Sequence, residues 1–176
     1  MAGMAEQRIR CVGAVVFDGA GRLLLVRRAR EPGRGRWSVP GGRVESGETD
    51  AQALMREVAE ETGLVVEIIR LLGSVQRHAP DAAVFDIYDY CCRVTGGTLR
   101  AGDDADDARW CDRQTLGTLP VVAGLVEALA DWHCLPPAPD MERYRSFEPP
   151  QGPDGPPCRG VHTEGLSGGS GAGTHG

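Results

Sequence analysis

The chain has 176 residues, a formal net charge of -6 and a pI near 5.2. That length suits one domain with a sizeable core, and the acidity argues against non-specific nucleic-acid binding, which needs basic surface. The N-terminal stretch MAGMAEQRIR has no apolar signal-peptide core and no run approaches membrane-spanning length, so a cytosolic protein with no membrane partner is expected.

In chain order, residues 9–17, IRCVGAVVF, are rich in β-formers and end at Asp18-Gly19-Ala20-Gly21, a turn leading into RLLLVRR at 22–28. Together they predict a hairpin. An arginine-rich loop with Pro32, Gly33 and Gly35 follows, then a short strand at Trp37-Ser38-Val39 closed by Pro40-Gly41-Gly42. Residues 49–62 predict a helix: Thr49 and Gln52 have the spacing of a capping box, and Gly63 stands where a left-handed C-cap belongs. On a helical wheel Glu60 and Glu61 fall within about 60° of Glu57. Ala51, Leu54, Met55, Val58 and Thr62 form a separate arc, expected to pack on the core. Like charges at this spacing weaken a bare helix, and only Arg56 offers local compensation. A hard divalent cation bound by carboxylate oxygens is the natural reason for such a cluster.

Beyond the helix, 65–75 predicts a strand bent at Gly73, and 76–83 a loop holding Arg77, His78 and Pro80. Residues 84–94 predict a strand with Phe85, Ile87 and Asp89 on one face and Val84, Asp86, Tyr88 and Tyr90 on the other, one face lining a cleft. Thr95-Gly96-Gly97 turns the chain, GDDADD at 102–107 is an acidic loop, and ARWCD at 108–112 a short strand. A final helix over 121–134 places Val122, Leu125, Val126, Leu129 and Trp132 together. Eight of the twelve prolines lie beyond Leu135. The chain is therefore divided into a domain over 1–134 and a Pro/Gly-rich tail over 135–176 expected to be disordered, with a turn over 141–147 able to dock. The six cysteines, at 11, 91, 92, 111, 134 and 158, show no metal-site spacing. They read as reduced thiols packed as small apolar groups, Cys91 and Cys92 on opposite faces of one strand.

The segment Gly42–Leu64, GRVESGETDAQALMREVAEETGL, carries Gly42, Glu48, Arg56, Glu57, Val58, Glu60, Glu61, Gly63 and Leu64 at the spacing G-x5-E-x7-R-E-U-x-E-E-x-G-U, where U is apolar. It resembles the Nudix box at every fixed position, and W-S-V-P-G-G before it is similar to the same family. The resemblance implies an α/β/α sandwich with a mixed β-sheet. It implies hydrolysis of the pyrophosphate bond in a nucleoside diphosphate linked to another group, with Mg2+, or in some members Mn2+. Glu57, Glu60 and Glu61 become metal ligands, joined by the Gly41 carbonyl, with Glu48 supporting the metal or ligating through water. Arg56 holds the glutamates in place. The general base is a box glutamate or an acidic residue of the later loop, where Asp104 and Asp107 come first among Asp103, Asp104, Asp106 and Asp107.

Arg27, Arg28, Arg34 and Arg36 are candidate phosphate contacts. Trp37, Phe85, Tyr88 and Tyr90 are candidates for stacking a base, and His78 is a further candidate contact. Pro80, sixteen residues past Leu64, resembles the ADP-ribose pyrophosphatase branch. An ADP-ribose-like substrate ranks first, an oxidised or non-standard nucleoside triphosphate second, and a nucleotide sensor without turnover third. Family members are often homodimers.

Overall fold

The computed structural model describes residues 7–79, 83–102 and 104–137. Strand β1 spans Gln7–Val16, β2 Leu23–Arg28, β3 Trp37–Ser38, β4 Gly41–Arg43, β5 Leu64–His78, β6 Ala83–Gly97 and β7 Ala105–Cys111. Helix α1 is Asp50–Thr62, α2 Arg113–Thr118 and α3 Leu125–Asp131. Four strands form one sheet in the order β4-β1-β6-β5, with β1 and β6 parallel and the other pairs antiparallel. The remaining three form an antiparallel sheet, β3-β2-β7.

Helix α1 packs Ala53, Leu54 and Val58 against Val12, Ala14, Val16, Leu24 and Cys92. On the other side, α2 and α3 bring Leu116, Leu125 and Leu129 against Val15, Leu23, Leu25, Cys91 and Cys111. The result is an α/β/α sandwich whose strand layer is split into two sheets. Successive residues along a strand serve opposite cores, which is why Cys91 and Cys92 separate. All five described cysteines are buried thiols outside any disulfide.

The turn at Asp18 forms as expected, its carboxylate accepting from the Ala20 and Arg22 N–H groups. The hairpin does not. Strands β1 and β2 meet at a single bridge, Phe17 with Leu23, and belong to different sheets. Strand β1 instead pairs over ten positions with β6, from Gln7–Ala83 to Val16–Cys92. Local turn chemistry suggested a neighbour, and a partner some 75 residues away buries more of both faces.

Helix α1 has the expected ends: Thr49 and Gln52 form a reciprocal capping box, and Gly63 adopts φ 68°. Arg10 fixes its first turn to the sheet through two bonds to Asp50, at 2.6 and 2.7 Å, and the Tyr90 hydroxyl donates to the same carboxylate at 2.5 Å. Strand β5 runs on to His78, so Gln76, Arg77 and His78 are strand residues rather than loop, and it shifts register around Gly73. Strand β6 likewise absorbs Thr95-Gly96-Gly97, and β7 begins at Ala105 inside the acidic loop.

The last helix is shorter than expected. Val121 bridges Trp37, and the Val122 N–H donates to the Trp37 carbonyl, so the β-branched pair after Pro120 extends a sheet edge. Val126 is exposed while Ala128 takes its place against the core. Helix α2 was not anticipated, although Asp112 caps it by accepting from the Thr115 N–H at 2.7 Å.

At the boundary placed after residue 134, Leu135 still packs on the core, and Pro137 lies against Gly21. The turn over 141–147 and the rest of the tail lie outside the described residues. Truncation after Pro137 is expected to leave melting and turnover unchanged. Truncation after Cys134 should cost about 1 kcal/mol through lost apolar contact, a fall of roughly 2–4 °C in Tm. Equal Tm values for the two would remove Leu135 and Pro137 from the packed unit.

Candidate active site

The site grows from the face that α1 turns toward β4. Ala53, Leu54, Val58 and Thr62 are the buried positions of α1, and Met55 is 43% exposed. That moves the buried arc so that Glu57 and Glu61 fall within it, at about 0° and 40° on the wheel. The expected separation of an apolar stripe from a carboxylate stripe is therefore wrong for these two, and Ala51 and Met55 are not core residues. Room for the carboxylates comes from glycine. A Cβ on Gly42 would overlap the Glu57 carboxyl group. The Gly41 N–H donates to Glu61 Oε2 at 2.9 Å.

Arg56 organises the rest. Its Nε and Nη2 donate to Glu48 at 2.8 and 2.9 Å, its Nη1 to Glu57 at 2.9 Å and Glu60 at 3.3 Å, and Nη2 also reaches the Arg43 carbonyl. This cation supplies most of the local compensation for three box glutamates. Its bonds, with one from the Glu45 N–H, hold the Glu48 carboxyl down at about 2. Glu57 goes the other way: burial pushes it up, against the pull of Arg56. Glu61 is pushed to about 8, first by burial and further by the charges of Glu57 and Asp104, while the Gly41 N–H and Arg28 oppose the rise.

Among the described residues, no three Asp, Glu, His or Cys side chains gather as a finished metal cage. The donor set nevertheless fits a hard cation. Two half-buried carboxylates one helical turn apart repel each other in a desolvated place, and a divalent ion relieves both effects. Mg2+ commonly takes one or two protein carboxylates and completes its shell with water and substrate phosphate, so a partial cage is the appropriate one.

The other candidates divide. Asp104 is close enough to raise both Glu57 and Glu61, and pairs with Arg30 at 2.7 Å. Asp107 lies in β7 and its carboxylate is taken by Arg109, so the two acidic-loop candidates are not equivalent. Arg28 reaches the field of Glu61 while its Nε donates to the Pro32 carbonyl. Arg36 is exposed and donates to the Val121 carbonyl at 3.3 Å.

Trp37 is 4% exposed, with the Arg109 guanidinium 4.6 Å from its ring, which makes it a core residue and not a stacking platform. Tyr88 and Tyr90 face α1 and carry the Arg10–Asp50 contact. Phe85 and Ile87, on the opposite face of β6, are part-exposed. Asp103 and Pro80 lie outside the described residues. Asp89, noted in the sequence only for its side of the strand, turns out to be 5% exposed. A lone acidic residue among alternating apolar positions was its signal.

A NUDIX domain model matches residues 7–134. The ADP-ribose pyrophosphatase of Methanocaldococcus jannaschii is 40% identical over 126 residues, covering 68% of this chain and 72% of that protein. The 8-oxo-dGDP phosphatase NUDT18 of Danio rerio is 38% identical over 124 residues, covering 68% of this chain and 36% of that protein, so the chain spans about a third of this second relative. The crystal structure of a MutT NUDIX hydrolase from Burkholderia pseudomallei superposes with a TM-score of 0.65 at 28% identity, covering 71% of this chain and 98% of that one. No helix among the described residues is long and apolar enough to cross a membrane. With an intact box folded around paired inward glutamates and a domain match over most of its length, the chain belongs to the Nudix family of hydrolases.

Proposed function

We propose that this chain hydrolyses the pyrophosphate bond of a nucleoside diphosphate derivative, with ADP-ribose as the preferred class and Mg2+ as the working ion. The observation that carries the reading is the placement of Glu57 and Glu61 on the inner face of α1 against Gly41 and Gly42. Nudix hydrolases generally depend on a divalent cation, and the ion bound here would offset the diphosphate charge and acidify its water. Glu57, Glu60 and Glu61 would hold it, with the Gly41 carbonyl adding a backbone oxygen.

Arg56 keeps Glu48, Glu57 and Glu60 in register, a task that needs a planar fork with several donors. The Gly41 N–H sets the direction of Glu61. Arg28, whose charge acts on Glu61, would meet a substrate phosphate. Asp104 is taken ahead of Asp107 as the loop carboxylate that would accept a proton from attacking water, because its charge acts on both Glu57 and Glu61.

The substrate class draws support from the relatives. One is named for ADP-ribose and the other for 8-oxo-dGDP, and both compounds are diphosphates rather than triphosphates. A panel of ADP-ribose, 8-oxo-dGDP and 8-oxo-dGTP with Mg2+ tests this. ADP-ribose should give the highest kcat/KM, and EDTA should abolish turnover until Mg2+ is restored. A tenfold preference for the triphosphate, about 1.4 kcal/mol of transition-state binding, overturns the substrate class. Full activity in excess chelator overturns the metal.

A further inference from the structure

The last carbonyl groups of an α-helix have no partner within it, and α1 carries no basic side chain in its last turn to meet them. Two of them are met by backbone from the segment that joins β6 to β7. The Arg100 N–H donates to the Thr62 carbonyl at 2.9 Å, and the Gly102 N–H to the Glu61 carbonyl at 3.0 Å. This clasp is close. A Cβ on Gly102 would overlap the Glu60 carbonyl oxygen, lie 2.8 Å from its carbon and 3.3 Å from the Glu61 Cα. Gly102 lacks the left-handed φ of Gly63 and Gly97. The nearness of the α1 backbone, not its own conformation, calls for glycine here.

The clasp ties the α1 glutamates and the acidic loop to one point. Glu61 is held at both ends, its carboxylate by the Gly41 N–H at 2.9 Å and its carbonyl by Gly102. The Ala105 N–H donates back to the Gly102 carbonyl at 3.2 Å, and Asp104 sits in the turn that these two residues close. On its other side the Asp104 carbonyl accepts from the Ala29 N–H at 3.4 Å, and its carboxylate pairs with Arg30 at 2.7 Å. The Arg30 and Asp104 side chains are 76% and 48% exposed, and an exposed pair orders little by itself. The backbone clasp at Gly102 is the firmer hold on the loop.

We infer that Gly102 is a positioning residue for the reaction: its contact with the Glu60–Glu61 peptide sets where the Asp104 carboxylate stands relative to the glutamates of α1. This rests on the reading of Asp104 as the acceptor of a proton from attacking water. A methyl group added at Gly102 meets main chain, which cannot rotate away as a side chain can. The loop must then lift from α1 and carry Asp104 with it. Glu57, Glu60 and Glu61 stay behind, on a helix whose capping box and buried face are untouched.

The test compares Gly102→Ala, Asp104→Asn and the double variant in the full chain. The substrate is whichever of ADP-ribose, 8-oxo-dGDP and 8-oxo-dGTP wild type turns over fastest with Mg2+. Gly102→Ala should lower kcat by roughly 10–100-fold, the scale of a misplacement of about 1 Å. KM and the Mg2+ concentration for half-maximal rate should change by less than about threefold, since the glutamates keep their places. Asp104→Asn should lower kcat by about 100-fold or more, and adding Gly102→Ala to it should cost less than about a further threefold. A second variant inserts one glycine after Gly102. It keeps the clasp, introduces no Cβ and lengthens the path to Asp104, so it should reproduce the loss in kcat. If Gly102→Ala does not melt cooperatively, the insertion decides alone. Losses that multiply in the double variant, a change in KM or Mg2+ requirement in place of kcat, or wild-type kcat in the insertion variant overturn the inference while Asp104 keeps its role. Wild-type kcat in Asp104→Asn overturns the proton-acceptor reading and this inference with it, leaving metal-dependent hydrolysis in place. Wild type that hydrolyses none of the three overturns the proposed function as well.

Discussion

Glu61→Gln is expected to lower kcat by roughly 10²–10⁴, about 2.7–5.4 kcal/mol of barrier, while making the metal-free protein more stable at pH 8. The second half of this pairing follows from burial. The Glu61 carboxyl is pushed from its ordinary 4.5 to about 8, chiefly by desolvation and then by Glu57, so the folded chain holds this proton through a range where the unfolded chain has released it. A raised carboxyl stabilises the fold fully below the unfolded value, and that contribution is lost as pH climbs through the folded one. The metal-free wild type should therefore lose stability between pH 4.5 and 8. The shift corresponds to at most ~5 kcal/mol, and relaxation around the ionised group reduces this to a few kcal/mol.

Glutamine keeps the acceptor for the Gly41 N–H and removes the charge. In EDTA at pH 8 its Tm should rise by roughly 5–10 °C, with little difference at pH 4. Mg2+ should reverse the order, because the ion stabilises the native state in proportion to its affinity and the variant binds it less well. The measurements are turnover, and melting with and without Mg2+ at both pH values. Activity within threefold of wild type together with an intact Mg2+ shift would remove Glu61 from the metal site.

Helix α1 was legible in the sequence because its determinants are local. Thr49, Gln52 and Gly63 act within one turn of the helix ends, and they set the same ends in the structure. Box spacing was equally plain, since G-x5-E-x7-R-E fixes which side chains share a turn. The partner of β1 was not legible. Runs such as CVGAVV and RLLLV have the same β-pattern, and nothing nearby tells a strand whether to pair with the next strand or with β6.

The inward turn of Glu57 and Glu61 was missed for a related reason. A helical wheel sorts residues by polarity, whereas the surface α1 meets includes Gly41 and Gly42 from another strand. Glycine there makes room for carboxylates on the buried arc, a fact about two elements at once. Trp37 was misassigned because a large aromatic next to the box has the same letter whether it stacks a base or, as here, fills the core beneath Arg109.

Gly42→Ala isolates that cross-element packing. Gly42 does not have the positive φ of its neighbour Gly41, which is at 154°, so alanine meets no backbone strain at this position. What it meets is Glu57: the new Cβ would overlap Oε1 and Cδ and lie 2.7 Å from Oε2. These atoms are the far end of a side chain that can rotate away, so the fold should give way cheaply, by about 1 kcal/mol or less. The swing takes Glu57 out of its 2.9 Å bond with Arg56 and away from the place beside Glu61. A displacement of about 1 Å in a catalytic group can cost on the order of a hundredfold, so kcat with Mg2+ should fall by roughly 10²–10³ with Tm changed by under about 4 °C. The double variant Gly42→Ala, Glu57→Gln then separates mechanism from general damage. If alanine acts by moving Glu57, its effect and that of Glu57→Gln should be far from additive, the pair being little worse than the worse single change. Additive losses in kcat would mean that Gly42 serves the site by a route other than Glu57.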